Sequence, residues 1–337
     1  MAFVRHNLVI ILLRTTLTPR TLLSRDQIRA INFSFVRKLA SKAQVTAQEE
    51  KKSEEVIEKS QLARAKVSEY LEKSGVRVQR VRRQIDLRKL TVEKISRVFK
   101  ILDDIGIDRN QRHKIISNRP TILITKDDLL RHRVKIMRSI GIYPESVAYV
   151  VKESPGVLTA RIEESLPDKV KFFEELNVKP KFTKDEILHV LTKCPTIIAA
   201  YTVESLQKRV QLLEEELKFN KHHIKNIILK QPSVLTFSND ALREKWNYCY
   251  ETMNVSPTCI ARCPRVFQCS LKRIKERHLY LKHLGLIKDE MIIDDYGLGL
   301  IVTTSDKRFA EKVAKMSLDE FDEFRDELDL SNEQNEE

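Results

Sequence analysis

Residues Cys263–Gly285, CPRVFQCSLKRIKERHLYLKHLG, show the pattern that decides how the chain folds. The stretch holds a proline, an apolar pair two residues later, a polar gap, a basic helical segment and a closing glycine. Four earlier copies share the proline, at intervals of 35, 40, 37 and 32 residues. The five prolines are Pro120, Pro155, Pro195, Pro232 and Pro264. A period of this length is typical of stacked two-helix units.

Two apolar pairs flank every proline. One pair ends four residues before it and the other begins two residues after it, as Ile115-Ile116 and Ile122-Leu123 do around Pro120. Proline cannot donate a backbone hydrogen bond and disfavours helix in the residue before it, so a first helix should end there. A second helix should follow the later pair. Two helices cannot bury their own apolar faces, so we expect successive units to stack.

A helix cap is predicted about 22 residues after each proline. The positions are Gly141, Asn177, Lys218, Asn254 and Gly285. Glycine and asparagine tolerate the left-handed conformation that closes a helix, so every position except Lys218 is predicted to be such a cap.

Composition divides the chain into four segments. Residues 1–45 are rich in Arg, Ser, Thr and Leu and almost free of acid, which is typical of a mitochondrial presequence. Residues 46–90 are charged and are predicted to be a helical or disordered lead. The repeat array follows over 91–288, and 289–337 form a C-terminal cap with an acidic tail. No stretch after the presequence is apolar and long enough to cross a membrane.

The predicted fold is an all-α solenoid of five proline-bearing units preceded by an N-terminal half-unit. The half-unit is residues 91–107, which match the second helix of a unit whose front half is missing. Residues 287–304 break the pattern with two glycines and are predicted to be a loop. Residues 305–328 are predicted to form one helix or a helix pair.

The charge is unevenly distributed along the chain. The formal net charge is +13, with +7 on residues 1–48 and −9 on residues 316–337, which leaves +15 for the body between them. A basic body with an acidic tail suggests a polyanionic partner, and an ordinary solvated surface is the alternative. A basic arm over residues 77–88 could add to the field, or it could be a solvated helix.

One position of the second helix is basic in all five units, 13 or 14 residues after the proline. The residues are Arg133, Lys169, Arg209, Lys245 and Arg277, and the half-unit offers Arg97. Two neighbouring arginines, Arg243 and Arg273, add to the field. This basic column would either track a phosphate backbone or form salt bridges between units, and the sequence leaves both open. The nearby Trp246, Tyr248 and Tyr250 could stack on bases or lie in the core.

Nothing in the sequence predicts catalysis, a metal site or a cofactor. The chain has no phosphate-binding loop, nucleophile elbow or zinc-protease pattern. Its five cysteines do not have the spacing of a structural zinc site. We therefore expect a binding protein rather than an enzyme.

The apolar residues near the C-terminus have two interpretations. They would either seal the last repeat or form a docking face for a protein partner. The residues are Phe309, Phe321, Phe324 and Leu328.

The repeats CPRVF, KESPGVL, TKCPTII and KQPSVL resemble those of the mitochondrial transcription termination factors over residues 91–330. The resemblance implies a left-handed α-superhelix of helix–helix–3₁₀ units in the mitochondrial matrix, with a concave basic face for nucleic acid.

Two branches of that family are similar to this chain. IGIYPESVAYVVKESPGVL and the acidic end resemble a branch that binds rRNA. This resemblance implies recruitment of a cytosine-5 rRNA methyltransferase of the Nop/Sun family to the large mitochondrial ribosomal subunit, and so regulation of translation. The terminal FAEKVAKMSLDEFDEF is shared with a branch that represses transcription, which implies binding of double-stranded mitochondrial DNA instead. A protein-only helical scaffold is the third possibility.

Overall fold

A computed structural model describes residues 56, 58, 60–287 and 294–334, so the predicted presequence lies outside the described residues. Every regular element in this described part is helical. Residues 60–66 are helical and belong to a unit separate from Val67–Glu337, which contains all the elements described below. No helix among the described residues has both the length and the apolar character that a bilayer span requires.

The helices alternate between two layers. The first helices of successive units are α1 Val78–Gln84, α3 Arg109–Asn118, α5 Pro144–Glu153, α7 Lys184–Lys193, α9 Lys221–Lys230, α11 Pro257–Arg262 and α13 Asp295–Thr303. The second helices are α2 Val92–Asp104, α4 Asp127–Ser139, α6 Ile162–Glu175, α8 Val203–Gln211, α10 Asn239–Asn247, α12 Leu271–His283 and α14 Leu318–Gln334. First helices pack on first helices at α1–α3 and from α5 to α13, and second helices pack on second helices from α2 to α8 and at α12–α14. This arrangement confirms the predicted all-α repeat fold.

A short turn that contains or follows the proline joins the two helices of each proline-bearing unit. The 3₁₀ turns are Pro120–Ile124, Pro155–Leu158, Pro232–Thr236 and Pro264–Phe267, and the third unit has a short α-helical turn, Thr196–Ala200, after Pro195. The apolar pair after each proline is buried in all five units. The pair before each proline is buried as well, apart from the half-buried Cys259. The turn therefore inserts its apolar pair between the two layers, as predicted.

The N-terminal unit is complete. Helix α1 and the 3₁₀ turn Leu87–Lys89 supply the front half that the sequence analysis leaves missing. Asp86 caps this turn in place of a proline, because its side chain accepts a hydrogen bond from the Arg88 amide at 3.0 Å. The arginine-rich stretch therefore belongs to the array and is largely helical, with Val78 and Val81 buried on its inner side.

Helix closure follows the prediction at three of the four proposed caps. Gly141, Asn254 and Gly285 adopt the left-handed conformation, with φ of 109°, 53° and 68°. The prediction for Asn177 is wrong, since α6 ends at Glu175 and the next residue turns into extended backbone.

Lys218, which was not predicted to be a cap, is left-handed instead, with φ of 54°. It follows a π turn, Leu212–Glu216, that prolongs α8. The buried Leu217 and Phe219 on either side of Lys218 fix the path of the chain there.

The loop predicted over 287–304 is wrong where the structure describes it, because α13 occupies most of its second half. Asp294 caps this helix by accepting from the Gly297 amide at 2.7 Å, and Leu298 and Ile301 are buried. A π turn, Phe309–Ala314, and α14 follow, so a helix pair without proline closes the array.

Candidate nucleic-acid interface

The basic column does lie in register, but it points into the joint between units. In α4, Arg133 Nη1 donates to the Leu158 carbonyl at 2.7 Å. In α6, Lys169 Nζ donates to the Ile198 carbonyl at 2.6 Å. Both acceptors are the third residue after a proline, in the turn of the following unit. Each cation therefore binds a turn carbonyl of its successor.

The same contact recurs towards the C-terminus. Lys245 Nζ donates to the Phe267 carbonyl at 2.7 Å, and Arg277 Nη1 donates to the Ile301 carbonyl in α13 at 2.6 Å. We call this hydrogen bond, from the column cation of one unit to a main-chain carbonyl of the next, the inter-unit clasp. The clasp satisfies carbonyls that a short turn leaves without a helical partner.

Burial excludes three of the clasp cations from phosphate contact in this fold. The exposed fraction is 4% for Arg133, 2% for Lys169 and 0% for Arg277. Burial also lowers the pKa of Lys169 to about 8, because the charged form loses hydration. The interpretation of these three residues as phosphate ligands is therefore corrected. Of the two interpretations left open by the sequence, inter-unit bonding describes them.

Arg277 is the most enclosed member of the column. Its guanidinium also donates to the Thr304 carbonyl at 2.9 Å and to Asp306 at 2.5 Å, and it lies 4.8 Å from the centre of the Phe309 ring. Burial alone would raise the pKa of Asp306. The hydrogen bond from Arg277 and the charges of Arg273 and Arg325 hold that pKa below its usual value.

Arg209 breaks the regularity of the column. It is half-buried and donates through Nη1 to the side chain of Asn239 at the start of α10, not to a turn carbonyl. Its Nε is buried without a hydrogen-bond partner in the described part of the chain. Among the described residues, Arg209 is therefore the column member of the five units that forms no inter-unit clasp.

The three remaining candidates are paired with acceptors on neighbouring elements. Arg97 bonds Asp127 at 2.7 Å, Arg243 bonds both oxygens of Glu216 at 2.6 and 2.9 Å, and Arg273 bonds the Thr304 carbonyl at 2.8 Å. Arg97 is exposed and Arg243 and Arg273 are half-buried. Direct nucleic-acid contact by these three stays a prediction.

In the first unit the clasp is formed by Lys94 and not by Arg97, the residue that the sequence analysis aligned with the column. Lys94 Nζ reaches the Thr125 carbonyl at 2.5 Å and also bonds Asp127, whereas Arg97 is exposed. Lys94 lies one helical turn earlier on α2, towards the buried Ile95. The helical wheel would have found it, because only the inward side of the helix can reach the next turn.

A second set of cations lies on the surface, at the C-terminal ends of first helices α3 to α11. We call these residues the outer row. They are Arg119, Lys152, Lys193, Lys230 and Arg262, and all five are exposed. Since α5, α7, α9 and α11 pack successively on one another, the row from Lys152 to Arg262 follows one edge of the first-helix layer. Sequence reasoning missed the row because its spacing from the proline varies by up to two residues.

Two members of the outer row donate hydrogen bonds to the next unit. Arg119 Nε donates to Thr159 Oγ1 at 3.1 Å, and Lys230 Nζ donates to the Arg262 carbonyl at 2.9 Å. Lys152 and Lys193 have no carboxylate within salt-bridge distance in the described residues. Cations favour helix C-termini for the helix dipole alone, so their position has a structural reason too.

The aromatic cluster formed by Trp246 at the end of α10 and by Tyr248 and Tyr250 in the π turn after it belongs mainly to the core. Trp246 is buried, with its ring 4.7 Å from that of Phe219. Tyr248 bonds His278 Nδ1 at 2.9 Å. Only Tyr250 is exposed, and it stacks on Trp246 with 11° between the ring planes.

Two of the four proposed partner-binding residues are part of the core. Phe309 and Phe321 are fully buried, with ring centres 5.1 Å apart, so the interpretation as a docking face is corrected for both. Phe324 is half-buried, 5.0 Å from the Tyr280 ring, and Leu328 is half-buried on the same helix. The C-terminal pair therefore seals the array, which is what the capping interpretation predicts.

Comparison with known proteins agrees with this architecture. The sequence profile of the mTERF family matches residues 16–224 and 183–310. The chain belongs to the mTERF family. The profile match includes the five proline-bearing units and α13, which the structure shows to be one continuous array of helix pairs.

Individual members of the mTERF family are distant relatives. The chain is 28% identical over 243 residues to "Transcription termination factor 3, mitochondrial" of Drosophila melanogaster, which covers 70% of this chain and 66% of that protein. It is 26% identical over 250 residues to "Transcription termination factor 4, mitochondrial" of Mus musculus, covering 73% and 68%. The chain thus spans about two thirds of these relatives. Identities this similar do not separate the two branches.

Proposed function

We propose that the chain is a non-enzymatic nucleic-acid-binding protein of the mitochondrial matrix. In this proposal it binds rRNA and recruits a cytosine-5 rRNA methyltransferase of the Nop/Sun family during assembly of the large mitochondrial ribosomal subunit. The relatives named as mitochondrial transcription termination factors support a mitochondrial location and a nucleic-acid partner.

The outer row carries the nucleic-acid part of the proposal. One exposed cation per unit at a fixed edge of a stacked helix layer offers a line of phosphate contacts that does not depend on base sequence. The clasp cations act indirectly, because they fix each unit on the next and so hold the outer row in register.

RNA is favoured over duplex DNA by the aromatic residues near the outer row. Tyr143 and Tyr149, at the start and in the middle of α5, are 64% and 41% exposed. Unpaired bases stack on such rings, whereas a duplex keeps its bases inside. The names of the two relatives, transcription termination factors, favour the alternative, a DNA-binding regulator of transcription.

The partner part of the proposal rests on α14. Its described acids include Asp319, Glu320, Glu323, Asp326 and Glu327, all exposed. With Phe309 and Phe321 in the core, the surface left for a methyltransferase is this acidic side together with the half-buried Phe324 and Leu328. A partner with a basic surface would match it.

Crosslinking in mitochondria followed by sequencing of bound RNA and DNA tests the proposal. Crosslinks to large-subunit rRNA and co-sedimentation with that subunit are the expected result. Crosslinks to DNA with enrichment in nucleoids would favour transcription regulation. Recovery of neither nucleic acid, with binding that does not depend on salt, would favour the protein-only scaffold.

A further inference from the structure

A groove of about 240 Å³ opens between α5 and α7, the first helices of two adjacent units. Its apolar wall is formed by Ile142 and Leu188. The polar residues that line it are Tyr143, Ser146, Asp185, His189, Thr192 and Lys193. Lys193 is also a member of the outer row, so the groove opens beside the proposed phosphate path.

An exposed aromatic ring distinguishes this groove. Tyr143 is 64% exposed and precedes Pro144, which keeps it in extended backbone outside the helix. Two other grooves, of about 430 Å³ between α6 and α8 and about 190 Å³ between α2 and α4, are lined by no exposed aromatic residue. A large ring left in water beside a polar groove is the usual platform for stacking a base.

Gly141 brings the two sides of the groove together. Its φ of 109° is in the left-handed region, and a Cβ at this position would lie 3.0 Å from Leu188 Cδ1. The absence of a side chain therefore lets the loop before α5 approach α7 closely. The space that results is smaller than a drug-sized pocket of about 300 Å³ or more, and it suits one planar base.

We propose that this groove binds one unpaired guanine of an RNA strand whose phosphates follow the outer row. Tyr143 stacks on the base, and the Asp185 carboxylate accepts from its N1–H and N2–H groups. Guanine is the base whose pairing edge presents two adjacent N–H donors, which match the two oxygens of one carboxylate. Lys193, at the other end of α7, is left to contact a phosphate of the strand. This inference rests on the proposed function and names the base that its site prefers.

Binding of 12-nucleotide RNAs tests the proposal. The two RNAs are oligouridylate and the same strand with one central guanosine. The wild-type protein should bind the guanosine strand about tenfold more tightly. Asp185→Asn should reduce that preference to below twofold, and Tyr143→Ala should weaken binding of the guanosine strand about tenfold, since stacking of one base is worth about 1–3 kcal/mol.

A matched control comes from α5. Glu145→Gln removes an exposed acid, and Glu145 does not line the groove. This variant should keep the guanosine preference. All three changes are at exposed positions, so circular dichroism should show unchanged helix content.

The outcomes separate this inference from the proposed function. Salt-dependent binding of both RNAs without guanosine preference, or a preference that survives Asp185→Asn, would overturn the guanine site and leave the proposed function standing. If neither RNA binds, the proposed function fails. Ligand-observed NMR with guanosine 5′-monophosphate then tests the guanine site separately from RNA binding. If the nucleotide shows no binding that depends on Asp185, the guanine site is overturned as well.

Discussion

The clasp cations and the outer row repeat along the same units but differ in burial and in partners. Within the second proline-bearing unit, Lys169 is 2% exposed and binds a main-chain carbonyl of the next unit, whereas Lys152 is exposed and has no carboxylate partner among the described residues. In the fifth unit, Arg277 is fully buried and Arg262 is exposed, so the two also differ in burial. A regular row of charges along a sequence therefore does not identify a binding face. The side of the helix on which a cation lies determines whether it stabilises the packing of units or is available to bind a ligand.

The largest expected difference is between the buried Arg277 and the exposed Lys152 of the outer row. Arg277→Met removes the hydrogen bonds to the Ile301 and Thr304 carbonyls and leaves Asp306 with fewer cations. We expect the free energy of unfolding to fall by about 3–5 kcal/mol, as when one partner of a buried ion pair is lost. Urea denaturation followed by circular dichroism measures this change. Lys152→Met, at an exposed position, should change it by less than about 0.5 kcal/mol.

Equal losses of stability in those two variants would contradict the assignment of separate roles. A loss of RNA binding in Arg277→Met protein that keeps its unfolding midpoint would instead return Arg277 to the binding surface.

The next effect concerns binding by the outer row. A triple variant, Lys152→Met with Lys193→Met and Lys230→Met, removes three exposed cations. For single-stranded RNA we expect the slope of log affinity against log salt concentration to become shallower by about 2, at about 0.7 per phosphate contact. The unfolding midpoint should change little. Fluorescence anisotropy at several salt concentrations measures the slope.

A control triple variant removes the same charge from the second-helix layer. The exposed lysines are Lys100, Lys135 and Lys171. If this control reduces the slope as much as the outer-row variant does, then net charge and not the row sets the affinity.

A pH titration sharpens the contrast between the two lysines of the second proline-bearing unit. The pKa of Lys169 is about 8 in the folded chain and 10.5 in the reference state. The unfolded chain therefore binds more protons between these pH values, and stability should rise with pH there. Relative to Lys169→Met, the wild-type free energy of unfolding should increase by about 1.5 kcal/mol from pH 8 to 9.5. The difference in free energy of unfolding between the wild type and Lys152→Met should not change with pH. A change with pH in that control would mean that groups other than Lys169 titrate in this range.

The smallest loss of stability is expected for Arg209, within the basic column itself. Arg209 donates to one side chain and leaves Nε without a partner among the described atoms, whereas Arg133 bonds both a carbonyl and Glu163. Arg209→Met should cost about 1 kcal/mol, and Arg133→Met about 3 kcal/mol. Thermal unfolding of the two variants compares them. A larger loss for Arg209→Met would mean that the turn carbonyl is not what makes a clasp stable.

The repeat was predictable because its signals are local. Proline, the apolar pairs and the closing glycines each act within a few residues, and all but Asn177 behave as their backbone chemistry requires. The proline-free units at both ends were harder to find. In the first, Asp86 supplies a capping side chain where the others have proline, and in the last, Gly297 and Gly299 lie inside a helix that tertiary packing stabilises.

The site was less predictable than the fold. The sequence shows that Lys169 occupies a helical position that is basic in every unit. It does not show that Lys169 donates a hydrogen bond to a carbonyl 29 residues later. The outer row has irregular spacing, since its members need only reach the same edge. The groove between α5 and α7 brings Tyr143 and Asp185 together across two units, and no short-range pattern records that pairing.

The inter-unit clasp also gives the array a direction. Arg133 precedes its acceptor, the Leu158 carbonyl, by 25 residues, so it leaves the ribosome first and must stay hydrated until the next turn emerges. Each module can then close only after its successor has been synthesised. A chain that stopped after α12 would leave the Arg277 guanidinium without the acceptors that α13 and the turn after it provide. Shortened versions of this array should therefore tolerate loss of the first module better than loss of the last.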